Sequence, residues 1–159
     1  MSQYQELRSP PVFWPYLLYL DADASCGAGR HEEGLTAIDS AIAMVGGPPG
    51  NTLEPDMLRL KGDLLAGSAA TAGGSRTAAE PWYRRALERA NELGVRSTPL
   101  PAATRLARLL FADDEPQAAR DLLRPVYATR EEGMSTADLR EAKDLLEAIE
   151  GDGRFSGAP

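Results

Sequence analysis

From Met57 to Gly94 the sequence reads as two amphipathic helices joined by a soft link, and this pairing limits the fold more than any other stretch. In Met57-Leu58-Arg59-Leu60-Lys61-Gly62-Asp63-Leu64-Leu65, residues Met57, Leu60 and Leu64 form one stripe, with Leu58, Gly62 and Leu65 on the next. A face that wide packs against two neighbours at once. Gly67 to Arg76 is small and soft and reads as a loop, and Thr77 with Glu80 matches a capping box for a helix that includes Glu80 to Ala90 and stops at Gly94. Two helices joined in this way fold back as a hairpin.

Small residues repeat this hairpin along the chain. The sets Gly34, Ile38, Ala41, then Ala79, Tyr83, Ala86, then Ala119, Leu123, Val126 share offsets of four and seven. Their partners in the preceding helices are Ala22, Gly62 and Ala107, twelve residues upstream in the first and third pairs and seventeen in the second. The extra residues fall in the Gly67 to Arg76 link, where an insertion costs little. Small side chains are required where paired helices cross closely.

The remaining elements follow the same logic. A first helix starts near Val12 to Pro15 and ends by Ala28, and a second carries Leu35, Ile38, Ile42 and Val45 before Gly46-Gly47-Pro48-Pro49-Gly50. Pro99 and Pro101 predict an extended approach to a shortened fifth helix with Ala103, Leu106, Ala107 and Leu110. Pro116 suits a first helical position, whereas Pro125 should bend the sixth helix or end it early. Ser135 to Asp138 caps a seventh helix whose apolar face is Leu139, Ala142, Leu146 and Ile149 and whose other face is charged. The expected organisation is a flexible lead-in at 1–11, one helical repeat domain at 12–150 and a disordered tail at 151–159.

Composition agrees with an all-α chain, since strand-favouring β-branched and aromatic residues are sparse. A formal net charge of -7 would repel a phosphate backbone, so nucleic acid is set aside as a partner. The single Cys26 allows no internal disulfide, and with one histidine, His31, the His31-Glu32-Glu33 run cannot complete a zinc-protease motif. Gly46 to Thr52 lacks the lysine of a phosphate loop. The longest apolar run, Val12 to Leu20, is too short for a membrane span, which points to a cytoplasmic protein with no membrane partner. Clustered carboxylates fall at helix ends or on charged faces, so no catalytic residue, metal or cofactor is expected.

The phrases Leu58 to Leu65, Tyr83-Arg84-Arg85-Ala86-Leu87, Leu106-Ala107-Arg108-Leu109-Leu110, Leu122 to Tyr127 and Glu132 to Ala142 resemble the tetratricopeptide-like family. They are most similar to the C-terminal helical region of bacterial ATPase-linked transcriptional regulators and class III nucleotide cyclases, over residues 16 to 149. The resemblance implies a right-handed α-solenoid of three helical hairpins plus a C-terminal capping helix. It does not carry over catalysis, because the ATPase or cyclase portion has no counterpart in these 159 residues.

In such folds the first helix of each hairpin lines a concave groove. Here that face would be Tyr16, Tyr19, Asp23 and Cys26, then Asp56, Arg59 and Asp63, then Thr104, Arg108 and Phe111, a mixture suited to a peptide. The first helix is apolar around its whole circumference, so Phe13, Trp14 and Leu17 are expected to form a dimer surface or to dock an N-terminal partner. The function expected is a non-catalytic protein interaction or regulatory module in signal transduction. The alternative is a small-ligand sensor or a detached fragment of a signalling ATPase or cyclase.

Overall fold

The computed structural model describes residues 13–46, 50–72, 78–129 and 137–151. Among them are seven α-helices and no strand: α1 (Trp14–Gly27), α2 (His31–Val45), α3 (Glu54–Ala72), α4 (Glu80–Leu93), α5 (Pro99–Ala112), α6 (Pro116–Ala128) and α7 (Ala137–Gly151). The expected lead-in at 1–11, the tail beyond Gly151, and Thr77, Ser135 and Thr136 lie outside the described residues.

Proline starts these helices. α1, α4, α5 and α6 each hold a proline at the first or second helical position, where its missing N–H would have had no intrahelical partner and its fixed φ is already helical. The Pro99 and Pro101 pair therefore does not hold the chain extended, as the sequence suggests; the helix begins at Pro99 itself. Likewise, Pro125 lies on the exposed side of α6, which runs on to Ala128. Ala79 is the N-cap without a side-chain bond, and Glu80 accepts from Arg84 one turn along.

Three helix ends share one closing turn. Gly29, Gly94 and Asp114 take left-handed φ values of 73, 65 and 68°. Next to them the amides of Arg30, Val95 and Glu115 donate five residues back to Ser25, Ala90 and Leu110, the arrangement that satisfies orphan carbonyls at a helix end. Gly29 and Asp114 are 85 residues apart, the same interval as Ala22 to Ala107 and Gly34 to Ala119. The first and third hairpins thus agree in turn geometry as well as in small-residue register.

The soft link is shorter than the sequence implies. α3 continues through Gly67 to Ala72, because alanines sustain the helix, while Gly67 leaves room for a neighbour: a Cβ there would fall 2.4 Å from the His31 ring. His31 is half-buried against this glycine.

Packing follows chain order, each helix lying against the next. In addition α1 touches α3, α3 touches α5 and α5 touches α7, whereas contact among α2, α4 and α6 is at most sparse. The wide apolar face of α3 serves two cores, as its two stripes require. Met57, Leu60 and Leu64 join Ala22, Ile38 and Ala41 in an N-terminal cluster, while Leu58 packs with Ala86 and Ala102, and Leu65 meets the C-terminal cluster around Leu106, Leu123 and Ile149. The repeated small residues mark the tight crossings. A Cβ on Gly34 would lie 2.5 Å from Leu64, and one on Gly62 would lie 2.5 Å from the Tyr83 ring.

Candidate functional site

The faces of α1, α3, α5 and α7 that lie away from their packed stripes meet along one side of the molecule, and polar side chains connect them. On α3 a four-residue spacing sets Arg59 beside Asp63, with Nη1 donating to Oδ2 at 2.5 Å. The other carboxylate oxygen of Asp63 accepts from the Tyr83 hydroxyl at 2.8 Å and faces Arg105 Nε at 3.3 Å. Arg105 continues to Glu141 on α7, whose Oε1 also accepts from Arg108 at 2.7 Å. At the other end Tyr19 of α1 lies near enough to Arg59 for the guanidinium charge to act on its phenol. The result is a ladder from Tyr19 through Arg59, Asp63, Arg105 and Glu141 to Arg108, spanning all four helices.

Burial makes this ladder electrically firm. Side-chain exposure is only 16% for Arg59 and 15% for Asp63, rising to 51% at Arg108, so charge–charge attraction is screened least at the centre. Burial and the Asp63 carboxylate push the Tyr83 phenol well above its ordinary range, which keeps it a proton donor. Burial alone would favour loss of the Arg105 charge, but Asp63 and Glu141 outweigh it and hold the guanidinium ionised. Tyr19 is raised by burial, with Arg59 opposing. Burial, then Asp63 and Asp23, raises the Cys26 thiol, which makes it a poor nucleophile. One donor on this face is left over: Arg59 Nε is enclosed without a hydrogen bond, its nearest carboxylate, Asp56, being 3.8 Å away.

Of the groove residues read from the sequence, the structure brings Tyr19, Asp56, Arg59, Asp63 and Arg108 onto this face. Tyr16 stacks on Tyr19 with centroids 6.3 Å apart and is itself exposed, as is Asp23. Two do not fit. Thr104 is buried and bonds the Leu100 carbonyl one turn back, and Phe111 packs against the C-terminal cluster. α5 carries its small residues at Ala103 and Ala107, which turns Thr104 inward with them. Sequence reasoning missed Arg105, Glu141 and the role of Tyr83. The spacing of Arg105 to Arg108 was a usable signal, since three residues place both guanidiniums on one helix face.

Two hollows flank these elements. One of about 370 Å³ lies at the α7 end of the ladder between Arg108, Ala137, Arg140, Glu141 and Asp144. A larger cleft of about 770 Å³ opens elsewhere, between the end of α4, the turn into α5 and the end of α6, lined by Asn91, Val95, Arg96 and Val126 among others. Opposite the ladder, Lys61 sits 3.6 Å from the centre of the Trp82 ring and 2.6 Å from Asp39, tying α2, α3 and α4 together. Of the expected dimer surface, Phe13 and Leu17 are exposed, but Trp14 is half-buried. No group of three or more metal-ligating side chains occurs among the described residues, and no described helix is long and apolar enough to cross a membrane. No protein-family model, curated protein or solved structure matches the chain.

Proposed function

We propose that this protein is a non-catalytic interaction module that binds a peptide or a partner domain across the face shared by α1, α3, α5 and α7. The observation that carries the reading is the ladder. It fixes Arg59, Asp63, Arg105 and Glu141 against one another and leaves Tyr16, Asp23 and Arg108 exposed beside them. A preorganised polar face of this kind binds with little ordering cost. In the same reading the helices form a right-handed solenoid of three hairpins closed by α7, similar to tetratricopeptide-like domains. Support comes from the odd-to-odd helix contacts and from the 85-residue equivalence of the first and third hairpins. A cytoplasmic regulatory role, without nucleic acid as ligand, belongs to this proposal, and the charge of -7 favours it.

The test is affinity capture with the exposed residues altered. Arg59 and Asp63 are held in the ladder, so changing them would test folding. Asp23→Lys alters an exposed side chain of this face that forms no rung of the ladder. The variant is expected to keep its helical circular dichroism and to lose partners that the parent chain captures. Retention of every partner would remove this face as the binding site.

The cleft at the ends of α4 and α6 supports a second reading, a small-ligand sensor, because its size suits a metabolite. A metabolite screen by thermal shift distinguishes the two. A ligand whose stabilisation disappears in Val126→Trp, which fills the cleft, would establish the sensor.

A further inference from the structure

All five large apolar side chains exposed among the described residues lie on the first hairpin. Four belong to α1 or its cap, Phe13 at 73%, Tyr16 at 42%, Leu17 at 51% and Leu20 at 43%, and the fifth is Met44 of α2. Positions 13, 16, 17 and 20 follow the spacing of a single helix face, while Ala22 and Ser25 are the buried residues of this helix. An open stripe at the end of a helical stack needs a cover. The charges on α1 indicate which cover suits it. The helix has no lysine or arginine, its first turn has neither an acidic residue nor a side-chain cap, and Asp21 is exposed and unpaired among the described residues.

We propose that two copies of this chain associate through α1, packed antiparallel with Leu17 at the crossing. Phe13 lies four residues before Leu17 and Asp21 four after it. A two-fold axis at Leu17 therefore brings Asp21 of each copy to the first turn of the other's α1. The positive end of that helix then gains the carboxylate its own sequence lacks, and the apolar stripe covers itself. A parallel pair would set Asp21 against Asp21. A foreign helix with basic flanks would answer Asp21 but leave the α1 first turn without an acid. The surface is separate from the ladder apart from Tyr16 at its border, so the dimer does not depend on the proposed binding face.

Sedimentation equilibrium of the full chain between about 1 and 100 µM should show a reversible dimer. Leu17→Asp should weaken it at least tenfold and Asp21→Lys several-fold, both with unchanged helical circular dichroism, since both sites are exposed. Under oxidising conditions Leu17→Cys should form a covalent dimer and Phe13→Cys should not. A monomer throughout the range, or a dimer indifferent to Leu17→Asp, overturns the interface. Cross-linking of Phe13→Cys in preference to Leu17→Cys overturns the antiparallel register.

Discussion

Asp63 is a branch point of the ladder, meeting Arg59, Tyr83 and Arg105 at once. Asp63→Ala leaves the half-buried Arg59 and the buried Tyr83 phenol without their acceptor, while Arg105 keeps Glu141, a loss of about 3 kcal/mol on the scale of broken buried ion pairs. Tyr83→Phe removes one hydrogen bond and should cost about 1 kcal/mol. Chemical denaturation of both and of the double variant should reveal a coupling of about 0.5–3 kcal/mol, as for residues in one network. The phenol also predicts a pH effect. Its acidity is weaker in the folded chain than in the unfolded one, so its contribution is complete below about pH 10 and is lost as pH rises from there. Melting temperature should therefore fall more steeply between pH 9 and about 11 in the parent than in Tyr83→Phe; parallel curves would contradict the assignment. Part of this was legible from sequence. Arg59 to Asp63 is a one-turn pair that spacing alone gives, but Tyr83 read as packing and Glu141 as part of a solvated face. Their partners are 20 and 36 residues away, and only the stacking of helices brings them together.

The helices themselves were readable where periodicity and small residues agreed, as in the two stripes of α3 and the crossings at Gly34 and Gly62. They were misread where a proline or a glycine has two meanings. Pro99 and Pro101 forbid interior helix but favour a first turn, and Gly67 weakens a helix yet is the residue that lets the His31 ring pack against it. Two substitutions test this account. Gly62→Ala drives a methyl into the Tyr83 ring and should cost about 1–3 kcal/mol, seen as a lower denaturation midpoint with an unchanged slope. Gly29→Ala meets nothing within 4 Å, so its cost is conformational only, about 1 kcal/mol for a left-handed alanine. An equal loss at both sites would argue against the close crossing at Gly62.

Across the whole molecule, α3 is the element common to all the cores. Met57, Leu60 and Leu64 belong to the N-terminal cluster and Leu58 to the small one between α4 and α5. Leu58→Ala should cost about 2–5 kcal/mol and lower amide-exchange protection in α1 and α6 alike, whereas Leu35→Ala, at the margin of the N-terminal cluster, should affect only the first half. The number and order of helices could be read from the chain, but their tiering could not, because nothing local records that α1, α3, α5 and α7 touch while α2, α4 and α6 hardly do. That asymmetry has a mechanical consequence. The ladder side is a seam stitched across α1, α3, α5 and α7, and the other side, tied by Lys61 between α2 and α4, opens into a cleft of about 770 Å³ between α4 and α6. The molecule should bend like a book bound along that seam. Low-energy motion would open or close the cleft between α4 and α6, while the distance from Arg105 to Glu141 stays nearly fixed.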